Sequence, residues 1–412
     1  MKVVVLGAGV IGTASAWYLS QMGHDVRVID RQPAAGMETS FANGGQISVG
    51  HAEPWASPGA PWQALKWLAR EDAPLLFRLR ADPAQWRWGL EFLRQCAPGH
   101  FSRNVVQLVR LGLYSRASLG ALRKQTGIAY DHLQRGILHY YTDEREFEAS
   151  EAAAVVIREL GCERTQLTPA ECVAREPALA PARQLLAGGT YTPEDESGDA
   201  HKFTQELAML CMKRGVWFDF GVSVEGFEVS GNDIKGVKTN QPDLVRADAY
   251  VLALGSYSPL LAKPLGIDLA IYPLKGYSVT MPVKNPAAAW SVALADDSHK
   301  LVFSRLGERL RIAGTAELNG YNTEINTVRC QAIVKRVMQI FPEAGVPEKA
   351  QFWAGLRPAT PGNVPCIGGT KYRNLFLNTG HGTLGWTHAC GSGRALADII
   401  TGRKPEVNFA FC

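Results

Sequence analysis

Gly7, Gly9 and Gly12 carry the first chemical signal. They follow the apolar run Lys2–Leu6, open a helical stretch that reaches about Met22, and precede a second apolar run ending in Asp30. Gly7 allows the turn out of a strand, Gly9 lets backbone approach a pyrophosphate, and Gly12 lets the helix pack closely on the strand. The start of that helix offers free N–H groups and a positive dipole end to phosphates, and Asp30 can accept hydrogen bonds from ribose hydroxyls. A second glycine-rich segment, Gly380–Trp386, precedes a helix near the other end of the chain. Its amides suit a ring system that gathers negative charge on reduction.

Arg357 stands in an apolar, stiff stretch, Gly355–Pro361, and its guanidinium has the fork that matches a carboxylate. The other reading is a pair with a structural acid. Tyr277, Tyr257, Tyr321 and Lys275 are further candidate carboxylate donors, although tyrosines in strands commonly pack. His51, His201 and His381 have no metal-ligand spacing, and no metal is expected. No Gly-x-Ser-x-Gly elbow and no Ser/His/Asp set is legible.

The elements that position these residues follow from pattern. Helices are expected at 103–125, 145–160, 201–214 and 326–340, and from the Gly380 loop to about 400. Strands are expected at 135–141, 216–220, 222–224, 247–253 (running into Gly255), 375–377, and through the β-rich region 271–316. Cofactor loops near both ends imply a dinucleotide domain that is discontinuous in sequence, faced by a substrate domain built from the middle. The polar, glycine-rich loop Glu38–Gln46 suits close approach to a ligand. Residues 54–95 hold Trp55, Trp62, Trp67, Trp86 and Trp88 among Arg70, Arg78, Arg80, Arg87 and Arg94. Amphipathic helices packed on the main body are the favoured reading; a surface against lipid head groups is the alternative.

Composition bounds the rest. A chain of 412 residues, 46% hydrophobic, holds two or three domains and ample core. A net charge of +4 without a like-charge block argues against a nucleic-acid tail. The eight cysteines form no Cys-x-x-Cys pair and read as reduced thiols of a cytosolic protein. The chain opens on a strand, so no signal peptide is expected, and no apolar run reaches the roughly 18 residues of a membrane span.

With these residues in place, the chain resembles the FAD-dependent D-amino acid dehydrogenase small subunits of bacteria, within the larger group of D-amino acid and glycine/sarcosine oxidases. The resemblance covers essentially the whole chain. It is most specific in His51–Ala56, Thr192–Phe203, Gly355–Pro361 and Asn378–Gly393. It implies an α/β fold: a glutathione-reductase-like, Rossmann-type FAD-binding domain (1–85, 195–268 and 350–412) and an antiparallel β-sheet substrate domain with helices (86–194 and 269–349). It implies noncovalent FAD, since no cysteine lies in the 380–386 loop. The cofactor would be lined by Gly7, Gly9, Val10, Ile11, Gly12, Asp30, Arg31, Ser40, Asn43, Gly44, Gly45, Gln46, Ile47, Val224, Ala253, Gly255, Arg357, Gly382, Thr383, Leu384 and Gly385. Arg357 matches the carboxylate clamp, with Tyr277, Lys275 and His381 as further catalytic candidates.

The implied reaction is oxidative deamination of a D-amino acid to a 2-oxo acid and ammonia. Hydride leaves Cα for flavin N5, no side-chain base is required, and electrons pass on to a quinone or respiratory-chain acceptor. The expected location is cytoplasmic, with peripheral contact on the inner face of the plasma membrane. Alternatives are an amino acid oxidase, a D-proline or D-hydroxyproline dehydrogenase, a dinucleotide-binding module without turnover and, for lack of a basic domain least of all, a flavin enzyme acting on tRNA. Departures at Ala42–Gly44 and Asn363–Val364 bear on the preferred substrate side chain. Oligomeric state is not legible.

Overall fold

The computed structural model describes residues 1–62 and 73–412; Trp67 and Arg70 lie outside the described residues. In the first strand, Lys2–Leu6, the last four residues are an unbroken, buried apolar run because both faces are covered there. It sits in the middle of a six-stranded sheet in the order 366–369, 375–379, 249–252, 2–6, 25–30 and 217–220. All neighbours run parallel except the 366–369 edge strand. Helix Val10–Gln21 follows the first turn, and helices Ala200–Lys213 and Gly385–Ile400 pack against it. Asp199 caps one of these by accepting from the His201 and Lys202 amides.

A second, nine-stranded sheet runs in the order 351–359, 272–282, 309–318, 301–306, 293–296, 137–141, 188–192 and 165–167, with 75–77 beside Ala316–Leu318. It is antiparallel except at 137–141 against 293–296 and at 75–77. Its core gathers Tyr277, Val279, Trp290, Phe303, Ile312 and Phe341, with helix Thr327–Ile340 on the outer face.

Two stretches fall on the other side of the division read from sequence. Gln351–Ala359, grouped above with the FAD-binding domain, is hydrogen-bonded along its length to Tyr272–Pro282 in the second sheet. Leu75–Phe77 joins the same sheet. Conversely, helix Pro98–Thr126, grouped with the substrate domain, packs on helix Gly385–Ile400 of the nucleotide layer. Continuous stretches of chain thus serve both layers. The expected helices form within a few residues of their expected bounds.

In the Trp/Arg-rich stretch the packing reading holds for Trp88. It is buried, stacks on Phe92 at 5.2 Å and donates through Nε1 to the Ala359 carbonyl at 2.8 Å. Trp62 and Trp86 instead remain 73% and 51% exposed.

Candidate active site

One cavity of about 860 Å³ runs between the two sheets. On the parallel-sheet side it is lined by Gly7, Gly9, Val10, Ile11, Asp30, Arg31, Val224, Ala253 and Gly255. Gly7 takes φ +108°, and a Cβ there would sit 2.6 Å from the Ala253 carbonyl oxygen. Helix Val10–Gln21 starts from Gly9 without a side-chain cap on its N-cap residue. Val10 N–H goes to Ser40 Oγ at 3.1 Å, which leaves further first-turn amides for an anion. Asp30 Oδ2 accepts from Ala8 N–H at 2.6 Å and Oδ1 from Gln32 N–H at 2.8 Å. A carboxylate has about four acceptor sites, so ribose hydroxyls still find room. Burial raises the Asp30 pKa, and these two amides act against that. Arg31 pairs with Glu38 and lies 4.0 Å over the Tyr257 ring.

Loop 40–46 joins the two walls. Arg311 donates to Asn43 O at 3.0 Å, Ser304 Oγ to Gly44 O at 2.7 Å, and Gln46 Nε2 to Leu294 O at 2.8 Å. The Gln46 amide nitrogen is therefore committed to the second sheet. The 382–385 turn and His381 line the cavity from the start of helix Gly385–Ile400.

Arg357 faces the cavity from the edge strand of the second sheet. Its Nη1 donates to the Thr315 carbonyl at 2.8 Å. Among the described residues no carboxylate lies within ion-pair distance of it, so the structural-pair reading fails. The guanidinium lies flat over Gly276, where a Cβ would fall 2.3 Å from Cζ. Burial, and then the Arg329 charge, lower its pKa to about 10, and it stays charged at neutral pH. Thr315 holds φ +50°, a costly conformation for a β-branched residue, and it aims its carbonyl at Arg357.

Several sequence candidates do other work. Lys275 is not on the cavity wall: its Nζ donates to Asn322 Oδ1 at 2.9 Å and Glu324 O at 3.1 Å, and lies 3.4 Å from Glu317. Tyr277 lines the cavity with its ring, but its hydroxyl donates to Glu317. Neither is free to hold a ligand carboxylate, because Glu317 from the neighbouring strand takes both. Tyr321 donates to Ser256 O at 2.9 Å. Ile47 is wholly buried in the core and Gly12 sits beneath the turn, so neither lines the cavity. His381 lies on the wall, and burial holds its pKa well below the usual imidazole value, so it is neutral.

Among the described residues, Thr315 Oγ1, His381 Nε2 and Trp386 Nε1 are buried without a partner, on residues that line the cavity. With the uncapped helix start, and with Arg357 lacking an acid partner among the described residues, they make a wall that fits a large polar ligand such as the expected dinucleotide, next to a small carboxylate.

At another part of the wall stand His51, Glu53, Arg164 and Asp297. Arg164 binds Glu53 at 2.7 Å and Gly50 O at 3.0 Å. Buried Asp195 accepts from the Val49 and Gly50 amides at 2.9 Å each and so fixes the loop that carries His51. Sequence reasoning passed over Thr315, Gly276, Asp195, His139 and Asp297. Only Asp195 had a signal, as one acid of the Thr192–Asp199 stretch.

The chain is similar to known proteins over nearly its full length. The model of the DAO family, FAD dependent oxidoreductase, matches residues 2–399. A D-amino acid dehydrogenase of Dechloromonas aromatica is 58% identical over 415 residues, covering 100% of this chain and 99% of the relative. One from Paramagnetospirillum magneticum is 57% identical, covering 99% and 97%. Among solved structures, glycine oxidase from Bacillus cereus has a TM-score of 0.75 at 23% identity, covering 98% of each chain. L-proline dehydrogenase from P. horikoshii has a TM-score of 0.78 at 18% identity, covering 99% and 95%. At these identities the two structures speak for the fold alone.

Proposed function

Because the chain belongs to the DAO family of FAD-dependent oxidoreductases, we propose that it oxidatively deaminates D-amino acids to 2-oxo acids and ammonia. The observation that carries the reading is Arg357, a cavity-wall guanidinium without an acid partner among the described residues. Relatives at 58% and 57% identity that bear the name D-amino acid dehydrogenase support it.

Gly9, Val10 and Ile11 would hold the pyrophosphate, Asp30 the adenosine ribose, and the 382–385 turn the pyrimidine side of the ring. FAD bound there supplies the two-electron acceptor for the hydrogen that leaves Cα. The chain's own part is positioning. Arg357 binds the carboxylate through its fork, and the Thr315 carbonyl and the floor over Gly276 fix the guanidinium's plane. Neutral His381 puts no positive charge beside the substrate amine, which favours its deprotonated form. The released imino acid hydrolyses in water.

The test is anaerobic mixing with D-alanine, D-proline, L-alanine and glycine while the flavin absorbance is followed, then addition of a quinone or air. Bleaching by D-amino acids with fast recovery on quinone is expected. Absence of bleaching by all four would overturn the reading, and fast recovery in air would move the protein to the oxidases.

Gly276→Ala gives a narrower check. The new methyl must displace the guanidinium, and a shift of about 1 Å costs roughly a hundredfold in kcat/KM. Flavin content should be unchanged; wild-type kcat/KM would mean that Arg357 is not seated by this contact.

A quinone acceptor implies contact with a membrane. No helix among the described residues is long and apolar enough to cross one. Helix Pro83–Gln95 exposes Trp86, Leu90 and Leu93 along one face, beside Arg87 and Arg94. We place the peripheral contact there. Each apolar side chain buried in lipid is worth about 1.5–3 kcal/mol. The triple change Trp86→Ser, Leu90→Gln, Leu93→Gln should therefore abolish co-sedimentation with anionic vesicles and leave flavin reduction by substrate intact. Unchanged co-sedimentation would remove this face from consideration.

A further inference from the structure

His51, His139 and Asp297 come from three separate parts of the chain: the loop after Ile47, strand Ile137–Tyr141, and the end of strand Ala293–Asp296. Asp297 Oδ2 lies 3.1 Å from His139 Nδ1, and Oδ1 lies 3.5 Å from His51 Nε2. One ligand atom from each residue lies within 4.8 Å of the other two. The rings face each other with centroids 4.2 Å apart.

From these distances the geometry points to a divalent transition-metal site held by His51, His139 and Asp297, with its fourth position open to the cavity. A tetrahedral ion with bonds of about 2.0–2.1 Å spaces its ligand atoms about 3.3 Å apart; Asp297 Oδ2 already lies 3.1 Å from His139 Nδ1, and with one ligand atom from each residue within 4.8 Å of the others, small side-chain rotations bring the set to that spacing. Imidazole with carboxylate is a zinc-type ligand set, and three protein ligands with one open position is the arrangement of reactive zinc sites. Among the described residues neither ring nitrogen of His51 makes a hydrogen bond; Nε2, which faces Asp297, is the nitrogen that would ligate.

The charged neighbours are compatible. Arg164 is committed to Glu53, and Lys300, whose Nζ is 3.6 Å from Asp297, is 46% exposed and free to swing into water. His51 and Asp297 line the cavity, which supplies an entry path. The site is separate from the carboxylate clamp: His139 lies three strands beyond Thr315, roughly 14 Å along the sheet at about 4.8 Å per strand. Its fourth ligand would be water or an oxygen group entering that end of the cavity.

The test is equilibrium dialysis of the chelator-treated, flavin-loaded protein against zinc chloride, with bound metal measured by mass spectrometry. The visible spectrum of the cobalt-loaded form reports geometry. One zinc per chain, a four-coordinate cobalt spectrum and a loss of affinity of roughly tenfold or more in His51→Gln are expected. Partly exposed His51 tolerates that change, and Asp297→Asn is the second variant if it does not. Substoichiometric zinc in wild type, or equal uptake by a folded His51→Gln or Asp297→Asn protein, would overturn the assignment.

Discussion

Arg357→Ala is expected to lower kcat/KM for D-amino acids by two to three orders of magnitude while the protein keeps its flavin. Removing one member of a desolvated, hydrogen-bonded charge pair costs about 2–5 kcal/mol, and each 1.4 kcal/mol is about tenfold. The loss should divide. The attraction felt equally by bound substrate and transition state appears in KM, and the alignment of Cα–H appears in kcat. Arg357→Lys restores charge without the planar fork, so it should recover KM better than kcat. A substrate analogue whose carboxylate is replaced by an amide supplies the second arm. It should react poorly with wild type and lose little more with Arg357→Ala, because the two changes remove the same contact. Flavin retention is expected because Arg357 sits on the second sheet, away from the helix start that would hold the pyrophosphate. A kcat/KM within about threefold of wild type would show that the carboxylate is held elsewhere.

Why the cavity-wall place of Arg357 was legible and the commitment of Lys275 to Glu317 was not is a matter of range. Arg357 is a lone cation in an apolar, proline-bounded stretch, and that local oddity survives folding because no acid arrives beside it among the described residues. Lys275 and Tyr277 looked like equal candidates, but their strand pairs with Arg309–Leu318, and the register puts Glu317 opposite Lys275. A cross-strand partner some forty residues away is invisible to spacing. The same holds for His51, His139 and Asp297, which no local motif joins. That the glycine turn, Asp30 and the 380–386 loop stand around one cavity was legible because each is one supersecondary unit whose parts are adjacent in sequence. The layer boundary was missed at Gln351–Ala359 for the opposite reason. Arg357 reads as part of the site, and the site is shared, so its strand can belong to either layer until hydrogen-bond partners are known.

The closest packing in the turn leads to the last expected result: Gly12→Ala should yield protein that holds little flavin. A Cβ at Gly12 would lie 1.9 Å from the Gly7 carbonyl oxygen and 2.9 Å from its carbon. Both are backbone atoms, and Gly7 is tied to the neighbouring strand by its N–H, which donates to the Ile29 carbonyl at 2.8 Å. No rotamer change relieves the clash, so helix Val10–Gln21 must move off the strand, and the amides at its start move with it. Overpacking of this kind costs about 1–3 kcal/mol or more. The helix also packs on Gly385–Ile400, whose first turn lines the cavity, so the shift reaches both glycine-rich segments of the cavity wall. Gly99→Ala is the control: a Cβ there meets nothing within 4 Å, and its position in helix Pro98–Thr126 favours alanine. The checks are the flavin-to-protein absorbance ratio after purification and thermal unfolding. Full flavin content and wild-type unfolding in Gly12→Ala would mean that the turn relaxes in solution, and the tight seat of helix on strand would then not be what the third glycine of the motif provides.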